Sequence, residues 1–133
     1  MVAACHAETG RDSDEAMRRD ALAPLLEGSP HGVVYLIGPP RAPIGYALLS
    51  FGWSLARGGL TGHLAELHIR RAVRGRGIGS EVLVSLPRAL AGAGLRSIDV
   101  EVDTSDARAR AFFSRLRFRP REDCVTMTLA LAR

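Results

Sequence analysis

Seven residues, Arg74-Gly75-Arg76-Gly77-Ile78-Gly79-Ser80, restrict the folds open to this chain more than any other stretch. Three glycines in five positions permit main-chain turns that other residues avoid, and they leave consecutive N–H groups uncovered. An alternating apolar run precedes them and an amphipathic segment follows. A tight turn joining strand to helix sets the partly positive helix N-terminus against whatever lies in the turn. Arg74 and Arg76 add full charges. The combination predicts a site for a pyrophosphate.

The remaining pattern sets this turn within a mixed α/β chain. Residues 12–27 read as a helix capped by Asp12 or Ser13, with Met17, Ala21, Leu22, Leu25 and Leu26 at helical spacing and a break or kink expected at Pro24. GVVYLIG (32–38) and IGYALLSFGWS (44–54) read as an antiparallel hairpin. A third strand is expected over 63–70, with Ala65, Leu67 and Ile69 on one side and Leu64, Glu66 and His68 on the other. After the turn, EVLVSLPRALAGAG predicts a helix with Val82, Leu83, Leu86 and Leu90 on one face and a bend at Pro87. SIDVEVD (97–103) alternates as a strand, Ser105 or Asp106 caps a helix reaching about Leu116, and CVTMTLAL (124–131) is expected as a last strand. No repeat or linker interrupts residues 1–133, so a single domain is expected, one sheet with helices over it.

Composition removes several function classes. With 47% apolar residues the chain can build a core, and disorder is excluded. No run approaches the roughly 18 apolar residues of a membrane span. MVAACHAETGRDSDE lacks the basic start and apolar stretch of a secretory signal, so a cytoplasmic protein with no membrane partner is expected. All 18 basic residues are arginine, a bias that a GC-rich genome explains. Their clustering at 70, 71, 74 and 76 does not follow from that bias, and it suits a phosphate or carboxylate partner. Nucleic acid would need a continuous basic face; Asp99, Glu101 and Asp103 set acid beside the arginines, so no nucleic-acid partner is expected. Cys5 and Cys124 form no metal spacing and no disulfide framework, and no metal is expected. His6 and His63 are read as surface residues.

Two phosphate-binding patterns fail. A P-loop needs Gly-Lys-Ser/Thr, and the chain has no lysine. A dinucleotide turn needs G-x-G-x-x-G; counted from Gly75 the last position is Ser80, although Asp99 supplies the acid about 20 residues on. That turn also follows the first strand of its sheet, whereas a helix and a hairpin precede this one.

Arg74-x-x-Gly77-x-Gly79 resembles the acyl-CoA signature of the GNAT superfamily of N-acetyltransferases. LAELHI before it is similar to that family's fourth strand, and VEVDTSDARARAFFSRLRF (100–118) resembles its downstream strand and helix. The similarity runs from about Val33 to the C-terminus; only Val2 to Thr9 could supply the family's first strand. The resemblance implies an α+β fold: a mixed, mostly antiparallel sheet whose fourth and fifth strands splay apart, with helices on both faces.

It also implies acetyl-CoA as co-substrate. The pantetheine arm would lie in the splay against Leu67, His68 and Ile69, and the pyrophosphate on Arg74, Gly75, Arg76, Gly77, Ile78, Gly79 and Ser80. Asp106 stands where the family carries asparagine, and Phe113 where it carries the tyrosine that protonates the departing thiolate; both would border the cofactor. Arg117 replaces a glycine, which puts a left-handed helix cap in question. The implied reaction is transfer of acetyl from acetyl-CoA to a primary amine by direct attack in a ternary complex, with Glu66 or Glu101 as general base. His68, sharing a face with Glu66, could relay a proton. The acceptor, a small molecule or a peptide, would be bound by the N-terminal helix and its following turn, the loop 52–62 and a C-terminal hairpin; Phe51 and Trp53 are candidate lining residues, and Asp12, Asp14 and Glu15 could draw a cationic amine. A homodimer is compatible with the family. The alternative, suggested by Phe113, is a GNAT-like module that binds acyl-CoA with little or no turnover.

Overall fold

The computed structural model of the chain describes residues 1–11 and 13–131. Two compact units are distinguished, Met1–Glu101 and Val102–Arg133. The first holds the helices α1 (Val2–Glu8), α2 (Glu15–Leu26) and α3 (Ile78–Gly92), a short 3-10 turn (Arg71–Val73), and the strands β1 (Gly32–Ile37), β2 (Gly45–Ser54), β3 (Gly59–Ile69) and β4 (Ser97–Val100). The second holds α4 (Ala107–Arg115).

The strands form one sheet in the order β1-β2-β3-β4. The β1–β2 hairpin and the β2–β3 pair are antiparallel, and β4 joins β3 in parallel. The mixed, mostly antiparallel sheet expected from the sequence is therefore present. β3–β4 pairing covers Thr61↔Ser97 to Leu64↔Val100, while β3 continues to Ile69. Residues 65–69 thus lack a strand partner on the side away from β2, among the described residues.

A β-bulge shapes the middle of this sheet. Leu48 pairs with Glu66 but Leu49 pairs with Leu64, which leaves Ala65 without an opposite residue. Directly opposed residues share a face. Glu66 and His68 therefore lie with Leu48 and Tyr46, whereas Leu64 lies with Leu49 on the opposite face. The simple alternation that grouped Leu64 with Glu66 and His68 fails here because the extra residue inverts the parity. Cys5 and His6 of α1 meet Tyr46 and Glu66 on the first face, and Leu25 of α2 approaches Gly32 there. On the second face, Leu49 and Leu95 close around Gly62, and α3 packs against β3. Ala47, Leu49, Leu64, Leu83 and Leu95 are all buried.

Several local expectations are corrected. Val2–Glu8, within the one stretch that could have supplied a first strand, is a helix. Asp14 caps α2, accepting from the Met17 N–H at 2.8 Å; the proposed cap Asp12 lies outside the described residues. Pro24 and Pro87 sit inside unbroken helices. Each removes one N–H from the ladder, and the continuous apolar face of α3, with Leu83 buried, outweighs that loss. β4 ends at Val100 rather than 103. Residues 124–131 form no strand: Val125, Met127, Leu129 and Leu131 are 83–90% exposed. The second unit contains no other strand with which they could pair, among the described residues.

Arg117 answers its own question. It adopts φ 71°, the left-handed region. The Phe118 N–H donates to the Phe113 carbonyl at 3.0 Å, the Arg117 N–H to the Ser114 carbonyl at 3.0 Å, and the Phe113 and Phe118 rings lie 5.3 Å apart. This is a complete Schellman cap, built on a non-glycine residue. Arg117→Gly removes the left-handed penalty and is expected to raise stability by about 1 kcal/mol in urea unfolding. A lower midpoint would contradict that assignment.

Candidate active site

Glu66 occupies the centre of the α1-facing side of the sheet. The Tyr46 hydroxyl donates to its Oε1 at 2.6 Å, His6 Nε2 lies 3.0 Å from its Oε2, and Arg11 Nη1 lies 3.2 Å from the same oxygen. Its side chain is only 12% exposed. Burial alone would raise its proton affinity, but hydrogen bonds from Tyr46 and His6, with the charges of His6 and Arg11, hold the carboxyl below its ordinary range. Burial and the same carboxylate push the Tyr46 hydroxyl upward. Burial also raises the Cys5 thiol, so this cysteine stays protonated beside Tyr46.

The bulge explains why these groups converge. It turns Glu66 toward α1, and Arg11 Nη2 donates to the Ala65 carbonyl at 3.2 Å, tying the segment after α1 to the irregular position. Ser13, in the same segment, places its hydroxyl 2.5 Å from His6 Nδ1. His6, expected at the surface, is thus a half-buried member of the site. No spacing rule links position 6 to position 66; the helix α1 brings them together. His63, also expected at the surface, is a half-buried residue of β3.

Because the folded carboxyl of Glu66 sits below its ordinary value of 4.5, its contribution to stability is complete above that value and is lost as pH falls through the lower folded value. Urea midpoints measured from about pH 6 down to about pH 3 are expected to fall more steeply for the parent protein than for Glu66→Gln. Equal slopes would show that the carboxylate is not held as described.

His68 shares the face of Glu66, but it is 5% exposed, and burial lowers its proton affinity. Glu101 follows β4, is exposed, and makes no hydrogen bond or ion pair among the described residues. Asp99 lies 4.0 Å from Arg57. Trp53 is 73% exposed, and Phe51 is half-buried on β2.

The glycine turn is open and unpaired. Gly75 and Gly77 take φ 80° and 76°, and nothing lies within 4 Å of where a Cβ would stand on either. Gly77 caps α3, leaving the N–H groups of Ile78, Gly79 and Ser80 in the unsatisfied first turn. Among the described residues, no loop or cap hydrogen bond is donated by the amides of residues 75–80. Arg76 is exposed and makes no ion pair among those residues. Arg74 is engaged differently from expectation: its Nε donates to the Ile69 carbonyl at 2.7 Å and its Nη2 lies 2.6 Å from Glu8 Oε2, holding that carboxyl below its usual range. In the second unit, Asp106 caps α4 by accepting from the Ala109 N–H at 3.0 Å, and the Phe113 ring packs edge-on to Phe112 and Phe118.

The sequence profile of the acetyltransferase (GNAT) family matches residues 3–118. The chain belongs to the GNAT family. Its mixed, mostly antiparallel sheet is thus the sheet of a GNAT chain. An integron cassette protein from the mobile metagenome of Cole Harbour Salt Marsh is 27% identical, superposes with a TM-score of 0.74, and aligns over 96% of this chain and 78% of its own. A candidate acetyltransferase of Arthrobacter sp. FB24 is 28% identical, with a TM-score of 0.74 over 99% and 84%. An aminoglycoside acetyltransferase from an uncultured soil metagenomic sample shares the fold, with a TM-score of 0.79 at 14% identity over 98% and 86%. No curated protein sequence matches significantly. Among the described residues, no helix of this GNAT protein is long and apolar enough to cross a membrane.

Proposed function

We propose that this protein transfers an acetyl group from acetyl-CoA to a primary amine, within the cytoplasm. The observation that carries the reading is the turn at 75–80, whose amides donate no loop or cap hydrogen bond among the described residues and which leads into the first turn of α3. A diphosphate supplies the acceptor oxygens those amides lack, and Arg76 adds charge. The free edge of β3 at Leu67, His68 and Ile69 offers main-chain groups to an amide-bearing pantetheine arm, which needs such partners as a strand would. When bound, acetyl-CoA supplies an activated thioester carbonyl.

The reacting end of the thioester would then lie near Ala65, the residue that the bulge leaves without an opposite partner. Glu66 is the carboxylate on which loss of the amine proton depends, and it is favoured over Glu101 because three donors hold it in place. Amine attack forms the C–N bond and breaks the C–S bond. Phe113 carries no proton to give, so the thiolate takes its proton from elsewhere. The same residue supports the second reading, an acyl-CoA-binding module with little turnover. Like the metagenomic relative, this chain could take an aminoglycoside; a polyamine or a peptide N-terminus are the other acceptor classes to assay.

Thermal melts and thiol release separate these readings. Acetyl-CoA at a hundredfold above its Kd is expected to stabilise the fold by about 2.7 kcal/mol. Free thiol should then appear with kanamycin, spermidine or a short peptide bearing a free N-terminus. Stabilisation without thiol release favours the binding module. Stabilisation by NAD instead of acetyl-CoA contradicts both.

A further inference from the structure

The site holds a hydrogen-bonded series that the family resemblance does not account for. Ser13 Oγ lies 2.5 Å from His6 Nδ1, and His6 Nε2 lies 3.0 and 3.1 Å from the two oxygens of Glu66. The order of protons along it follows from chemistry. An ionised Glu66 only accepts, so Nε2 carries the hydrogen; in the neutral ring Nδ1 then accepts, and the Ser13 hydroxyl donates to it. Arg18 Nη1 donates to Ser13 Oγ at 3.2 Å. A hydroxyl oxygen has two acceptor positions, so one remains for an incoming N–H. Arg11 ties this segment to the Ala65 carbonyl, beside the bulge. Glu66 itself is saturated by Tyr46, His6 and Arg11, which makes it a poor proton acceptor but a firm anchor.

We infer that His6, oriented by Glu66, takes the proton of the incoming amine through the hydroxyl of Ser13. The inference rests on the acetyl-transfer reading and reassigns Glu66 within it as a positioning residue. The amine N–H passes its proton to Ser13 Oγ as Ser13 passes its own to His6 Nδ1. The C–N bond forms, the C–S bond breaks, and the imidazolium returns its proton to the departing thiolate, restoring every group. The charged and titratable groups around His6 are Cys5 and Glu8 on its own helix, Arg11 beyond it, Arg18 on α2, Tyr46 on β2, and Glu66 and His68 on β3, with Arg74 paired to Glu8.

The test is the pH profile of kcat/KM in thiol release, with acetyl-CoA and the kanamycin, spermidine and peptide set. The parent protein should show an acid limb. His6→Gln should lose that limb and about 100-fold in kcat, with the KM for acetyl-CoA unchanged. Ser13→Ala should lose kcat similarly, Ser13→Thr should restore it, and the exposed His31→Gln should keep the parent profile. Thermal melts with acetyl-CoA confirm that each variant folds and binds. Turnover with the acid limb intact in His6→Gln, or full kcat in Ser13→Ala, overturns the inference alone. Acetyl-CoA binding without thiol release from the parent on any of these amines overturns the acetyl-transfer reading and the inference with it.

Discussion

Gly77→Trp is expected to abolish acetyl-CoA binding while leaving the protein folded. Gly77 takes φ 76° at the start of α3, and no protein atom lies within 4 Å of the position a Cβ would take. The glycine is therefore required for the bend but not by any packing neighbour. An indole added there fills the space above the free amides, where the diphosphate of the co-substrate would approach. The left-handed conformation costs a side-chain-bearing residue about 1–2 kcal/mol, well below typical total stability. Calorimetry should show affinity reduced by more than about 100-fold, close to 2.7 kcal/mol or beyond. Gly94→Trp is the control for strain: its φ is 102°, its surroundings are equally open, and it lies past the far end of α3. Binding retained by Gly77→Trp contradicts the assignment of the turn.

The second large effect is on stability. Leu49 has no exposed surface and stands opposite Leu64, next to the bulge at Ala65. Its Cδ2 also reaches the space over Gly62, where Leu95 packs. Leu49→Ala removes buried methyl groups and leaves a void between two paired strands that cannot readily collapse. The expected loss is about 3–5 kcal/mol in urea unfolding. Because the same residue packs under the bulge, activity should fall alongside stability under conditions where the variant remains folded. A loss below about 1 kcal/mol would mean that this face is not packed as described.

How much of this was legible in the sequence depended on the range over which each signal acts. The glycine turn, the β1–β2 hairpin and the apolar face of α3 rest on neighbouring residues, and each forms as the local pattern predicts. The alternation along β3 misassigned Leu64 because a bulge depends on how two strands pair, and nothing in LAELHI marks the extra residue. The resemblance leaves only Val2 to Thr9 as a possible first strand and carries no mark of the helix found there, although the alanines and glutamate of Val2–Glu8 suit a helix better. With that helix went His6, the residue farthest in sequence from its partner Glu66. The tail at 124–131 alternates as a strand should, yet a strand is defined by its partner and none is present in its unit among the described residues. Arg117 shows the reverse case: the cap geometry survives the loss of its glycine because the Phe113–Phe118 contact and two main-chain hydrogen bonds hold it.

The central claim is that the turn before α3 grips the diphosphate through its own amides. Amide chemical shifts recorded during an acetyl-CoA titration test it residue by residue. The account predicts that the largest changes fall on Gly75, Arg76, Gly77, Ile78, Gly79 and Ser80, saturating together at the calorimetric Kd. Saturable binding that leaves those six amides unmoved while others shift would contradict it.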